Sequence, residues 1–420
     1  MSTGKQTRLH GWHEDHGANM ALFGNYHMPL WYATGAKTEH LAVIRSVGIF
    51  DTSHMAAVAI KGVGAWDLLQ RCLSKDLDRC VGARHDPLVE GRCVYGVFLH
   101  ENGEVLDDAI AYQLKGDHFL VIVNAGMGEP VSRHLAAAGS DLKVTVEDLT
   151  DRVGKMDIQG PASGTLVARL IKEPRAVLAG LPYFSFKGGF DEQRSTSEVE
   201  LLDGTPLLLS RTGYTGEFGF ELFVNIEQLV PLWEKVLEAG ADLGVVACGL
   251  AARDSLRAGA VLPLSHQDIG HWPFANNPWQ FALPLDDKGG FTKDFIGHDA
   301  LKKAEAQPCT LPFAGFDPRK IPAEEKNFVT TEDGERCGII LTSTTDMAIG
   351  RRDGEIVGVA EEPDFAAKGL SCGFVKVDRE FAPGSIVLLS DGKRKIKVEI
   401  RKDVRPGRTA RKSMQSMLRR

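Results

Sequence analysis

The dipeptide Asn102-Gly103 falls between two β-branched runs, CVYGVFLH at 93–100 and AIAYQL at 109–114, and it is the favoured chemistry of a tight hairpin turn that needs positive φ. KGDH at 115–118 joins the second run to FLVIVNA at 119–125 in the same way. Residues 93–125 therefore read as an antiparallel meander. Around it the strand and helix signals are mixed rather than regularly alternating, which excludes a doubly wound parallel sheet. Further strands are expected at 57–63, 144–149, 205–211 and 220–224, and helices at 39–46, 64–74, 129–138, 162–171, 228–239 and 250–258. After about residue 307, Pro308, Pro312, Pro318 and Pro322 precede strand runs at 337–343, 355–360, 372–377, 385–390 and 395–400. These read as an all-β C-terminal domain.

A chain of 420 residues has room for two to three domains. Its net charge of −7 speaks against a nucleic-acid-binding field. The charge is uneven, because positions 401–420 hold eight basic residues against Asp403, a net +7 that leaves −14 on the rest. Basic ends of this kind are commonly solvated and frayed. The seven cysteines are dispersed and contain no C-x-x-C pair, so neither a disulfide framework nor a zinc site is expected. Neither a signal peptide nor an apolar run of membrane-spanning length is visible. A cytoplasmic protein with no membrane or nucleic-acid partner is the expectation.

Three segments carry candidate chemistry. In SRTGYTGEFGFEL (210–222), Gly213, Gly216 and Gly219 alternate with polar and aromatic residues. The spacing is neither a dinucleotide nor a P-loop pattern, and a pair of glycine turns is one reading; glycines beside Tyr214 would also let a flat ring approach the backbone. In VLDDAIAYQL (105–114), strand alternation sends Asp107 and Asp108 to opposite faces, so at most one points into a given pocket. An aspartate pair closing a turn is the alternative. In CGLAARDSLRAGAVLPLSHQDI (248–269), Arg253 and Arg257 share a helix face, as an ion-paired helix would have them or as a site that grips a flat anion. His10, His13 and His16 crowd the N-terminus without a carboxylate or cysteine pattern suited to a metal, and neither a G-x-S-x-G elbow nor H-E-x-x-H occurs.

Taken in order, HGANMALFGNYHMPLWY (16–32), EHLAVIRSVGIFDTSHM (39–55), YGVFLHENGEVLDDAIAYQL (95–114), FLVIVNAG (119–126), IQGPAS (158–163), RTGYTGEFGFEL (211–222), GLAARDSLRAGAVLPL (249–264) and FIGHDALKK (295–303) resemble the T-protein of the glycine cleavage system, the tetrahydrofolate-dependent aminomethyltransferase family. The resemblance implies an α+β, three-domain cloverleaf with mixed and antiparallel sheets. Its first, folate-binding domain would be 1–56 with 152–270, its second 57–151 with 271–306, contributing the aspartate hairpin, and its third a β-barrel with the basic tail, 307–420. It places Tyr95, Asp108, Tyr214, Glu221 and Arg253 on the family's site positions, with Met55 and Asn124 lining the pocket. One of Tyr183, Phe184 and Phe186 would supply a further aromatic. Asp108 is the catalytic candidate, and Glu221 would accept the pterin edge with both oxygens. Lysines or arginines are expected at the cleft mouth for the anionic folate tail.

The implied reaction moves a one-carbon unit from an aminomethyl group on the lipoyl arm of H-protein to tetrahydrofolate, releasing ammonia and needing no metal. The chain departs from the family pattern at 265–284, where Ser265 and His266 replace an aromatic and a glycine, and again at 359–369. The donor side is therefore the part to question. The alternatives are a tetrahydrofolate-dependent demethylase acting on a small N-, O- or S-methylated compound, and a non-catalytic folate-binding assembly protein.

Overall fold

A computed structural model describes residues 4–418. The expected meander is there: strands Cys93–Leu99, Val105–Lys115 and His118–Val123 pair antiparallel in sequence order, and Ala56–Lys61 and Thr145–Asp148 complete a five-stranded sheet. Gly103 takes the positive φ that its turn requires.

A second, seven-stranded sheet runs in the order Gln193–Arg194, Phe186–Phe190, Leu208–Ser210, Gly219–Asn225, Val153–Gln159, Gly48–Asp51 and Val246–Ala247. Its pairings are antiparallel except the last, which is parallel. The inner faces of the two sheets pack on each other through Ala57, Tyr112, Leu120 and Ile122 from one and Phe186, Leu208 and Phe223 from the other. Helices cover the outer faces. Ala65–Cys72 and Gly128–Ala138 lie on the five-stranded sheet, while Ser163–Ala168 and Leu229–Ala239 lie on the seven-stranded one. Burying both faces of both sheets in apolar side chains is what drives this layering.

A third sheet is a closed six-stranded barrel of Cys309–Gly315, Leu370–Val377, Arg336–Asp346, Phe328–Thr330, Ile386–Ser390 and Lys395–Ile400. The strand expected at 355–360 forms as Glu355–Gly358 but pairs with Ile349–Arg352 outside the barrel. An N-terminal hairpin, Asn19–Phe23 with Tyr26–Trp31, also stands apart from the larger sheets. The seven cysteines are free thiols.

The basic segment corrects an expectation, for it is not frayed. Arg405 is fully buried, its Nη1 donates to Asp346 Oδ2 at 2.6 Å, and its Nε lies 3.3 Å from Glu217 Oε1. Thr409 Oγ1 donates to Glu217 Oε2 at 2.6 Å and accepts from the Phe218 amide at 2.8 Å. Arg211 Nη2 reaches the Ala410 carbonyl at 2.8 Å. Met417, on helix Met414–Leu418, enters the core under the seven-stranded sheet. Residues 404–418 thus strap the glycine-rich 213–219 loop to the barrel, because buried carboxylates there demand a cation. Lys402, Arg411 and Lys412 stay exposed, and Arg419 and Arg420 lie outside the described residues.

Candidate functional site

The aspartates sit near the start of Val105–Lys115. Alternation holds in their burial, since Asp107 is fully buried and Asp108 half-buried. It does not keep their carboxylates apart, which corrects the expectation that only one could serve a given pocket. Asn124, one residue beyond His118–Val123, donates from Nδ2 to Asp107 Oδ1 at 2.7 Å and to Asp108 Oδ1 at 2.6 Å, while its backbone amide donates to Asp107 Oδ2 at 2.8 Å. Tyr95 OH donates to Asp108 Oδ2 at 2.8 Å, and Ser265 Oγ donates to Asp107 Oδ1 at 2.7 Å. Two carboxyl groups held by one amide cannot both ionise easily. Burial, then the charge of Asp108, pushes Asp107 up to about 7, and burial also raises Asp108.

That shift has a sign that can be tested. Asp107 binds its proton more tightly folded than unfolded, where the ordinary value is about 3.9, so stability present at pH 4 is lost as pH rises through 7. Asp107→Asn is expected to flatten this loss. In urea denaturation the variant should be more stable than the parent at pH 8, with the difference vanishing near pH 4.

A second cluster lies where the seven-stranded sheet faces the first. Glu221 and Asp157 are direct cross-strand partners, an arrangement unfavourable for two carboxylates by themselves. Lys155, on the same face as Asp157, resolves it. Its Nζ donates to Glu221 Oε1 at 2.6 Å, Asp157 Oδ1 at 2.8 Å and Thr52 Oγ1 at 3.1 Å. Arg253 Nη1, from helix Leu250–Gly259, donates to Asp157 Oδ2 at 2.9 Å. The nearby cations hold Asp157 below the usual carboxylate value against the opposing effect of its burial. Glu221 Oε2 accepts from Tyr112 OH at 3.2 Å and from Thr212 Oγ1. Three of the roughly four lone-pair positions of Glu221 are thereby filled. The doubly accepting carboxylate expected from the resemblance is replaced by one with a single position left.

Tyr214 joins the clusters. The Arg253 guanidinium lies 4.7 Å from its ring centroid, its hydroxyl donates to the Pro263 carbonyl, and burial, with the charge of Asp108 adding to it, raises that hydroxyl above the ordinary tyrosine value. It borders a cavity of about 500 Å³ that is also lined by Arg253, Leu22, Phe23 and Met347, with the exposed Lys37 and Lys320 supplying positive charge. Leu264 of the cavity wall precedes Ser265, which bonds Asp107, whereas Tyr95, Asp108, Asn124 and Glu221 are not among the residues that line the cavity. Met55 packs against the inter-sheet core with Ile110 and Phe184. Phe186 is buried against Tyr112 in that core, whereas Tyr183 lies beside Arg211 and Arg411. On the helix, the ion-paired reading describes Arg257, which binds Asp254 and Asp268.

Sequence reasoning missed Lys155 and Asp157. The signal was the polar alternation Lys155, Asp157, Gln159 within a run that reads as solvent-facing but is buried throughout. At the N-terminus, His10 comes close to His27 and Glu14, but His10 Nε2 and His27 Nδ1 lie only 2.9 Å apart. That is a hydrogen bond, shorter than the roughly 3.3 Å separating two nitrogens bound to one tetrahedral zinc.

Comparison with known proteins gives the family of the chain. The sequence model of the GCVT N-terminal domain matches residues 9–275. The aminomethyltransferase of Natranaerobius thermophilus is 31% identical over 356 residues, covering 83% of this chain and 90% of the relative. The chain belongs to the aminomethyltransferase family. Its relative in Geobacillus kaustophilus is 32% identical, covering 89% of this chain and 98% of that aminomethyltransferase. The crystal structure of glycine cleavage system aminomethyltransferase T from Bartonella henselae superposes with a TM-score of 0.74 at 25% identity, covering 97% of this chain and 99% of that one. As a member of the aminomethyltransferase family the protein is a transferase enzyme, and its α+β fold with a closed C-terminal barrel is that of the T-protein.

Proposed function

We propose that this aminomethyltransferase moves the one-carbon unit of an aminomethyl thioether, carried on the lipoyl arm of H-protein, to tetrahydrofolate. The observation that carries the reading is the Asp107–Asp108 pair bridged by Asn124 and capped by Tyr95 beside the Tyr214 cavity. In the balanced reaction the methylene carbon leaves its nitrogen and sulfur and bonds to two folate nitrogens. The two protons those nitrogens lose go to the departing ammonia and to the sulfur. A cationic carbon passes between, and the half-buried Asp108 carboxylate stabilises it in a water-poor site while holding a folate nitrogen in place. Tyr95, Tyr214, Asn124, Arg253, Met55 and Glu221 surround the pterin. Glu221 contributes one hydrogen bond rather than two. Lys37 and Lys320 face the anionic tail.

The same reading divides the chain at 1–56 with 152–270, 57–151 with 271–306, and 307–420, a division supported by the way the strands partition among the three large sheets. It places the enzyme in the cytoplasm. No helix among the described residues is long and apolar enough to cross a membrane.

The test is incubation with tetrahydrofolate and aminomethylated H-protein, in which 5,10-methylene-tetrahydrofolate and ammonia should appear in equal amounts. Asp108→Asn keeps the shape but loses the charge, and turnover should fall about 100-fold without vanishing. Unchanged turnover would remove Asp108 from the mechanism. A second reading is favoured by Ser265 and His266, which stand at the aspartate pair where the family has an aromatic and a glycine. It is demethylation of a small methylated compound, and 5-methyl-tetrahydrofolate from a panel of such donors would establish it.

A further inference from the structure

The segment joining helix Leu250–Gly259 to the rest of the chain is fastened on both sides of one residue. Ser265 is bonded to Asp107 at 2.7 Å. Asp268 accepts from the Leu264 amide at 3.0 Å and from Thr342 Oγ1 at 2.6 Å, and Gln267 Nε2 donates to Thr342 Oγ1 at 2.7 Å and to the Leu341 carbonyl at 3.0 Å. Between these anchors His266 has φ of 62°, a left-handed conformation that costs a non-glycine residue about 1 kcal/mol. Strain of this kind persists where the surroundings impose it, and it collects at functional positions. What the strained backbone achieves is a placement. The His266 side chain is 39% exposed, and its Nε2 lies 3.7 Å from Oδ1 of Asp107, whose side chain is wholly buried.

We propose that His266 is a positioning residue that carries protons between solvent and Asp107, and thereby restores the proton of the aspartate pair between turnovers. The inference rests on the one-carbon-transfer reading. In each turnover the ammonia released takes a further proton from the aspartate pair to leave as ammonium, and the pair must then be reprotonated from solvent. A proton enters the imidazole at Nδ1, on the side away from Asp107, and leaves from Nε2 to Asp107 Oδ1 as Ser265 turns its hydroxyl away and frees the lone pair it occupies; tautomer exchange through solvent then resets the imidazole. A movement of about 1 Å brings Nε2 to hydrogen-bond length.

The titratable groups around Asp107 are Asp108 on its own strand, Tyr95 on the neighbouring strand, Tyr214 beyond Asp108, and His266, with His271 behind it. Histidine is the type among them that exchanges a proton near neutral pH as a cation. Burial and then His271 lower His266 below the ordinary imidazole value, while Asp107 is raised to about 7. Asp107 therefore holds a proton more tightly than the imidazole does, and transfer runs from His266 to Asp107.

The experiment uses the full chain and His266→Gly, which removes the imidazole and suits the positive φ, so the thermal midpoint should hold or rise. Where that variant folds poorly, His266→Gln replaces it. Carbon-13 NMR of aspartate-labelled protein, with Asp107→Asn assigning the signal, follows the Asp107 carboxyl directly. Its titration midpoint should stay within about half a unit once the imidazole is gone, because a relay changes a rate and leaves the equilibrium alone. Turnover with aminomethylated H-protein should fall about tenfold at pH 7 with unchanged KM for tetrahydrofolate, acquire a steeper pH profile, and recover with added imidazole. Either an unchanged pH profile or the absence of rescue by imidazole overturns the relay, and a shifted Asp107 midpoint would show an electrostatic role instead. Should the parent release no ammonia from aminomethylated H-protein, the aminomethyl donor is wrong, and imidazole rescue of the variant with the donor that does support turnover then decides the role of His266.

Discussion

Lys155→Met is expected to destabilise the fold by about 3–5 kcal/mol, the range found when one partner of a buried ion pair is removed. Methionine fills the same volume, so the loss is electrostatic. Without the ammonium, Asp157 and Glu221 face each other across adjacent strands with 0% and 7% of their side chains exposed. Arg253 still compensates Asp157, leaving Glu221 with only neutral donors. One carboxyl must then take up a proton on folding, so the variant should recover stability as pH falls from 7 to 5. The parent lacks that recovery at Asp157, whose carboxyl is held below its usual value by Lys155 and Arg253 against the effect of burial. Urea denaturation at both pH values checks the sign, and a variant with the parent's pH profile would show that Lys155 does not neutralise this pair.

Arg405→Met should have an effect of similar size, about 3–5 kcal/mol, for the same physical reason. It strands Asp346 and Glu217, both with wholly buried side chains. His40 remains on Asp346, its Nε2 2.9 Å from Oδ1, and softens the loss on that side. Glu217 has Thr409 but no second cation among the described residues. The loosening should be local before it is global. Hydrogen exchange ought to accelerate at 213–219 and at 404–412 ahead of the barrel strands, and uniform acceleration would argue against a strap.

What could be read from the sequence was what neighbouring residues decide. The 93–125 meander was legible because Gly103 and the Lys115–His118 turn fix their geometry locally. Tyr95, Asp108 and Asn124 were legible through motif resemblance, and the structure joins all three by hydrogen bonds. Strand Val153–Gln159 was not legible, because its polar positions turn inward to partners as distant as Glu221 and Arg253. Strand Cys309–Gly315 was hidden by Pro312, which sits inside it. The charge count of the 401–420 segment suggested solvation because composition cannot see Asp346 and Glu217 waiting in the interior. The convergence of Asp107 and Asp108 was missed because alternation describes where side chains start, whereas Asn124 decides where they end.

The strap also imposes an order of assembly on a growing chain. The glycine-rich loop that carries Tyr214 gains its hydrogen bonds to Thr409 and Ala410 only after nearly two hundred further residues have been made. Sheets whose strands come earlier can collapse while translation continues. The cavity beside Tyr214 cannot reach its final shape until residues 404–412 have left the ribosome. An interrupted chain would thus hold most of the fold without a finished site.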